Sequence, residues 1–152
     1  MILADPALLG PALTQGGVDL ILIEISVEGE MSRPGRLDVE GTDEFAGWFG
    51  DLTDNEQVSV GRVVELLVEQ GPSLPFPYSS GIATSRHRHM RELRIHEGRP
   101  YPVLYAFDPR RAAILLLGGD KTGNDRWYDE HVPIGDALYD EYLQELKREG
   151  LI

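Results

Sequence analysis

Two consecutive segments of the chain show the apolar spacing of amphipathic helices. Thr42 precedes two acidic residues, and Thr53 precedes Glu56 by three positions, as is typical of helix N-termini. Apolar residues then recur at intervals of three and four, which places them on one face of each helix. They are Phe45, Trp48, Phe49 and Leu52 in the first segment and Val60, Val63, Val64 and Leu67 in the second. The pattern predicts a helical hairpin that ends at Gly71-Pro72.

Strand-like runs surround this hairpin. A short strand is predicted over Arg36–Glu40, and the proline-rich stretch Gly71–Ser80 is predicted to be an extended connector. Asp108-Pro109 fits a type I turn between two later runs, which predicts an antiparallel meander. The three later runs are Met90–Ile95, Tyr101–Phe107 and Ala112–Leu117. The last is apolar on both faces, as expected of a central strand.

A final helix is predicted from Pro133, a residue that suits the first turn of a helix. Its apolar face would carry Ile134, Ala137, Leu138 and Tyr142. Strands segregated from helices in this way indicate an α+β fold, with a twisted, mainly antiparallel sheet packed against helices.

The first 32 residues differ from the rest of the chain in composition. They lack basic residues, contain several Gly and Pro, and hold one strand-like run, Leu20–Ser26. Met31 stands two positions before the first arginine, Arg33. We therefore expect residues 1–32 to be an N-terminal extension, disordered or non-native, and residues 33–152 to form the folded domain.

Composition excludes several classes of protein. At 152 residues, with 41% apolar and 26% charged residues, one globular domain is expected. The absence of cysteine excludes disulfide scaffolds, thiolate zinc sites and cysteine nucleophiles. No apolar run reaches the roughly 20 residues of a membrane-spanning helix, and no basic start precedes an apolar segment as in a signal peptide. A cytoplasmic protein without membrane association is expected.

Charge is distributed unevenly along the chain. The formal net charge is −12, which taken alone argues against a nucleic-acid partner. Residues 81–126, however, hold nine basic and five acidic side chains, and three of the four histidines. This basic segment is either an anion-binding face or an ordinary solvated face balanced by acidic helices.

Familiar catalytic motifs are absent from the sequence. There is no phosphate-binding glycine loop, no HExxH and no GxSxG. His87 and His89 have no accompanying acidic cluster, so no metal site is predicted. Metal-free RNA cleavage needs cations to stabilise a phosphorane and side chains to move protons, and arginine, lysine, histidine and tyrosine all occur between residues 86 and 128.

Residues 89–146 resemble the HigB branch of the RelE/ParE toxin superfamily. The motifs are ELR on a strand, then VLYAFDPRR, an apolar strand ending in GGDKTG, WY, and a helix of the form PxxDxLYxxYL. Residues 36–70 resemble the helical hairpin that precedes this sheet, so the likeness covers about 115 of the 152 residues. It implies a RelE-like fold, cleavage of mRNA in the ribosomal A site without a cofactor, and an antitoxin partner with a helix-turn-helix domain.

The resemblance also implies which side chains act. It implies that Arg91 and Lys121 bind phosphate and stabilise the charge of the transition state, and that His89 or His87 transfers a proton. Tyr128 occupies the position of an aromatic residue near the family's active site. The implied catalytic set is Arg91, Lys121, His89 and Tyr128, and the implied RNA contacts are Arg86, His87, Arg88, Arg94, Arg110 and Arg111. Many relatives have arginine where this chain has Pro102, which removes one member of the basic cluster and predicts an irregular or unpaired strand there.

Three functions follow from these observations. The first is a ribosome-dependent mRNA endoribonuclease that acts as a toxin. The second is a catalytically degenerate toxin fold that binds an antitoxin or another protein without cleaving RNA, which Pro102 and the net charge favour. The third is gyrase inhibition as in the ParE branch, which agrees with the fold but less well with the GGDKTG segment.

Overall fold

A computed structural model describes residues 9–15, 18–23, 37–96 and 100–152. The described strands form one seven-stranded sheet in the order β1-β2-β3-β7-β6-β5-β4. Its members are β1 (Leu9–Gln15), β2 (Val18–Ile23), β3 (Val39–Thr42), β4 (Ser79–Gly81), β5 (Arg91–Ile95), β6 (Tyr101–Phe107) and β7 (Ala113–Gly118). Neighbouring strands are antiparallel except for β3 and β7, which are parallel.

In the described part of the chain, three helices cover the sheet: α1 (Asp43–Gly50), α2 (Asp54–Gln70) and α3 (Trp127–Arg148). The hairpin α1–α2 packs on one face, where Leu93, Val103 and Tyr105 join its apolar stripe in a buried cluster. Helix α3 packs on the other face, against Leu104 and Ile114. The α+β class and the RelE-like arrangement of hairpin, antiparallel sheet and C-terminal helix are confirmed.

Local signals at the helix starts are also confirmed. The Thr42 hydroxyl accepts a hydrogen bond from the backbone N–H of Phe45 (3.1 Å), and Thr53 and Glu56 form a reciprocal capping box. Helix α2 ends at Gln70, and the residue that caps it, Gly71, has a φ of 57°, which favours glycine. These helices begin and end where the sequence predicts because caps depend only on neighbouring residues.

The prediction that the last helix, α3, starts at Pro133 is wrong. The helix begins at Trp127, six residues before Pro133, which lies inside it on the exposed side. Trp127 is buried against the sheet, and this packing sets the start of the helix. The buried face is consequently rotated: Tyr142 is buried as predicted, but Ile134 and Ala137 are exposed and Leu138 is half-buried.

Smaller differences concern the strands. Strand β3 begins at Val39, later than predicted, and residue 36 lies outside the described part of the chain. The connector after α2 opens with a 3₁₀ turn, Gly71–Ser73, and ends in β4, a three-residue strand that the prolines had masked in the sequence. The central position of β7 and the β5–β6–β7 meander are confirmed.

The sequence predicts that the strand is irregular or unpaired at Pro102, and in the structure β6 is paired with β5 there. Pro102 is in register with Arg94 of β5, and the backbone N–H of Arg94 donates away from it, to Tyr78 (2.9 Å). The two residues therefore form a non-hydrogen-bonded pair, in which the missing proline N–H costs no bond to β5. A register shift between Leu104 and Tyr105 marks the irregularity in the pairing with β7.

The division of the chain at residue 32 stays a prediction. Residues 24–36, which include Met31, lie outside the described residues. Among the residues that the structure does describe, none of the helices combines the length and the apolarity that crossing a bilayer requires.

Candidate active site

A small cleft opens on the α3 side of the sheet, at the ends of β5 and β6. Its volume is about 50 Å³, and we call it the Lys121 cleft. Alternation along β5 turns Leu93 toward the helical hairpin, and hence turns Glu92 and Arg94 toward this side. The lining residues are Glu92, Arg94, Ile95, His96, Pro100, Tyr101, Pro102 and Lys121.

Three polar side chains form a hydrogen-bonded chain at this cleft. The Lys121 ammonium donates to the Tyr128 hydroxyl (3.2 Å) and lies 5.2 Å from the centre of its ring. The hydroxyl in turn donates to Oε1 of Glu92 (2.7 Å), a residue only 5% exposed. Burial, together with the hydrogen bond to Glu92, raises the pKa of Tyr128 well above its ordinary value. Tyr128 is therefore a protonated donor at neutral pH.

Arg94 is the second cation of the cleft. Its Nε is buried and has no hydrogen-bond partner among the described residues, and its guanidinium lies 5.1 Å from the centre of the Phe76 ring. A buried donor without a partner is costly to keep.

His96 stands at the end of β5 with a defined tautomer. Its Nε2 lies 2.7 Å from the carbonyl oxygen of Pro77, which can only accept a hydrogen bond, so Nε2 carries the proton. In the neutral ring the lone pair is then on Nδ1. Glu92 and His96 were absent from the predicted site. Strand alternation places Glu92 on the same face of β5 as Arg94, and this could have identified Glu92 as a site residue. No pattern in the sequence identifies His96.

Arg91 and His89 lie elsewhere. Arg91 faces the hairpin side of β5, three residues from Arg94, or about 10 Å along the strand. Its Nε donates to the Ser79 hydroxyl (2.9 Å), which is hydrogen-bonded to the Tyr105 hydroxyl (2.6 Å). A groove of about 400 Å³, here called the Arg91 groove, is lined by Pro72, Gly81, Arg88, His89, Met90, Arg91, Phe107 and Asp108. The four predicted catalytic residues thus fall into two pairs, Lys121 with Tyr128 and Arg91 with His89.

Two of the predicted RNA contacts are tied to α3. Arg86 and His87 both pair with Asp140, His87 through Nε2 at 2.8 Å, and the backbone N–H of Arg86 donates to Asp136 (3.2 Å). The imidazole of His87 also packs edge-on against Tyr139. These contacts fix the segment before β5 to α3.

Arg110 and Arg111 lie in the β6–β7 turn. Arg110 donates to the buried carboxylate of Asp108 (2.8 Å) and to the Tyr142 hydroxyl (2.7 Å), and it lies 3.4 Å from Glu40. Although burial opposes its charge, the hydrogen bond to Asp108 and the neighbouring carboxylates raise the pKa of Arg110. Arg111 is exposed and adopts a φ of 68°, which closes the turn. Arg110 therefore joins the turn to β3 and α3.

Comparisons with known proteins give a consistent result. The family model described as phage-derived protein Gp49-like matches residues 47–140. A Mycobacterium tuberculosis protein named "Putative toxin HigB3" is 43% identical over 97 residues, covering 63% of this chain and 84% of that protein. A second, "Putative toxin HigB2", is 36% identical over 106 residues, covering 68% of this chain and 53% of that protein. No solved structure matches significantly.

Proposed function

The chain belongs to the phage-derived Gp49-like family and is a HigB-like toxin, and on that premise we propose that it cleaves translated mRNA on the ribosome. In this proposal it is the toxin of a type II pair. It acts in the cytoplasm without a cofactor and is held inactive by an antitoxin with a helix-turn-helix domain.

The observation that carries the proposal is the hydrogen-bonded chain of Lys121, Tyr128 and Glu92, whose two end residues line the same cleft as Arg94. Two cations there meet a protonated hydroxyl and a carboxylate. This is the set that metal-free phosphoryl chemistry uses for charge stabilisation and proton transfer.

Cleavage requires the ribose 2′-oxygen to attack the neighbouring phosphorus while the P–O5′ bond breaks. A base removes the 2′-hydroxyl proton, and an acid returns a proton to the departing 5′-oxygen, so a cyclic phosphate and a 5′-hydroxyl result. Arg94 and Lys121 suit the phosphorane charge. His96 through Nδ1, or Glu92, suits the base, and Tyr128, whose hydroxyl carries a proton at neutral pH, is the candidate acid.

The Arg91 groove is assigned a supporting role. Arg88, His89 and Arg91 line it together, and two cations beside an imidazole fit successive phosphates of a single strand. Because Arg91 faces the opposite side of β5 from Arg94, we propose that this groove holds the RNA backbone away from the scissile bond.

A second candidate is a toxin fold that binds a protein without cleaving RNA. Pro102 supports it, because this residue lines the cleft opposite Arg94, where many relatives carry arginine. Arg86, His87 and Arg110, which were predicted to contact RNA, are also paired with carboxylates of the chain itself.

The two functions are separated by inducing the chain in a bacterial host and mapping new mRNA 5′ ends. Wild type is expected to produce in-frame cuts within translated regions. Lys121→Ala should reduce their yield by about 10²–10³-fold, the usual cost of removing one group that stabilises transition-state charge. Arg126→Ala, which removes an equal charge from an exposed position at the start of α3, is the matched control and should cut like wild type.

Antitoxin capture reports on folding in the same strains. All variants should retain it, since Lys121 is a partly exposed residue of the connection between β7 and α3, outside the buried core. Absence of new 5′ ends with soluble, antitoxin-binding wild type would refute the nuclease and leave the binding module. If Arg91→Ala abolished cutting while Lys121→Ala did not, the cleavage site would lie in the Arg91 groove.

A further inference from the structure

An aromatic side chain stands exposed on the turn before β4. Phe76 lies between Pro75 and Pro77 and is 68% exposed, and the nearby Tyr78 is 39% exposed. The backbone N–H groups of Tyr78 and Ser79 both donate to the carbonyl of Pro75 (3.0 and 3.1 Å). The turn that presents Phe76 is therefore closed by its own hydrogen bonds.

This turn is fixed to β5 by two residues of the Lys121 cleft. The backbone N–H of Arg94 donates to the carbonyl of Tyr78 (2.9 Å), and Nε2 of His96 donates to the carbonyl of Pro77 (2.7 Å). Because Arg94 and His96 also line the cleft, Phe76 has a defined position beside it.

Arg94 connects the aromatic ring to the cleft. Its guanidinium lies 5.1 Å from the centre of the Phe76 ring, in a cation–π arrangement, while its Nε is left without a partner. Single-stranded RNA is commonly held by aromatic rings and arginine planes that stack on unpaired bases, next to cations that bind the phosphates. The turn and the cleft place both kinds of group next to each other.

We propose that Phe76 is a stacking residue for one unpaired base of the RNA whose phosphate is bound by Arg94 and Lys121. This inference rests on the proposed function and specifies how its substrate is positioned. A ring beside the cleft would hold the nucleotide next to the scissile bond, and stacking would tolerate any base because every base has a π-face.

A protein partner at the same place is less well supported. One phenylalanine and one partly exposed tyrosine offer little of the roughly 800 Å² per partner that a stable protein interface buries. The cations at the cleft also match a polyanion.

The test uses bacterial ribosomes programmed with a short mRNA that carries 2-aminopurine in the A-site codon and 2′-deoxyribose at each codon position, so that it binds without being cleaved. Stacking quenches 2-aminopurine fluorescence. Wild type is expected to quench at one codon position. Phe76→Ala should raise the dissociation constant by about 5- to 150-fold, which corresponds to the usual loss of one base stack.

Two further variants identify the interaction. Phe76→Trp should retain quenching because it keeps a π-face, whereas Phe76→Leu should behave like Phe76→Ala although it keeps apolar bulk. Ile134→Ala removes another exposed apolar side chain, from α3, and should leave the titration unchanged.

The inference is wrong if wild type does not quench 2-aminopurine fluorescence, or if wild type and Phe76→Ala bind the RNA with equal dissociation constants. If Phe76→Ala binds RNA like wild type but loses antitoxin binding, Phe76 contacts the antitoxin instead. Cleavage of unmodified mRNA by wild type, measured in parallel, shows whether the proposed function stands when the stacking role fails.

Discussion

The hydrogen bond from Tyr128 to Glu92 predicts a specific loss of stability in Tyr128→Phe. This change removes one oxygen and leaves the ring, so Lys121 keeps its cation–π contact. Glu92, at 5% exposure, loses the donor that lies 2.7 Å from its carboxylate. A hydrogen bond to a charged group contributes about 1.5–3 kcal/mol, and leaving the buried acceptor unpaired forfeits that amount.

For a chain of this length the expected loss is measurable. A change of 1 kcal/mol shifts the melting temperature by about 2–4 °C, so Tyr128→Phe should melt roughly 3–12 °C below wild type. The same substitution in a Glu92→Gln background should cost only about 0.5–1.5 kcal/mol, because the amide oxygen is a neutral acceptor. The resulting coupling free energy is about 1–2 kcal/mol.

Urea unfolding of wild type, the two single variants and the double variant measures this coupling. The slope of free energy against urea concentration should be the same in all four, which shows that the midpoints report stability alone. A cost of Tyr128→Phe below about 0.5 kcal/mol, or equal costs in the two backgrounds, would refute the assignment of a buried charged acceptor.

Two further predictions concern packing and acid stability. Gly118→Ala should destabilise the chain by about 1–3 kcal/mol in urea unfolding, because a Cβ there would lie 2.5 Å from the Trp48 ring. Gly47→Ala is the control and should be neutral or stabilising, because its Cβ would meet open space. Equal effects of the two substitutions on the free energy of unfolding would contradict this prediction. The hydrogen bond from Arg86 lowers the pKa of Asp140, so the stability that it gives is complete above about pH 4 and lost as the pH falls further. The stability difference between wild type and Asp140→Asn should therefore shrink on acidification, and a difference independent of pH between 6 and 3 would contradict the pairing.

Features that depend on neighbouring residues could be predicted from the sequence. Thr42 and Thr53 form caps within three residues of themselves, and alternation along β5 assigns Glu92 and Arg94 to one face. The start of α3 could not be predicted in this way. It depends on the burial of Trp127 against a sheet formed by distant parts of the chain, so the local preference of Pro133 for a first turn was misleading.

Part of the candidate site could likewise be predicted from local sequence, and part could not. Lys121 and Tyr128 are seven positions apart and meet only because the β7–α3 connection folds back over β5, which no periodicity reveals. The separation of Arg91 from Arg94 was already contained in the strand alternation. The family resemblance assigns both Arg91 and Arg94 to the RNA face. The structure shows that Arg91 instead donates to Ser79 on the hairpin side of the sheet.

The net charge of −12 can be reconciled with an RNA substrate through the ion pairs of the fold. Asp140 of α3 and Asp108 of the β6–β7 turn pair with Arg86, His87 and Arg110, so part of the acidic excess is used to fix segments that carry basic residues. The described cations of the Lys121 cleft instead contact aromatic rings, Phe76 for Arg94 and Tyr128 for Lys121. A cation–π contact attracts a cation without neutralising its charge, and Glu92 is an acidic residue that lines the same cleft. Under the proposed function, an acidic chain built in this way gains little from long-range attraction, and its affinity for RNA has to come from short-range contacts at the cleft.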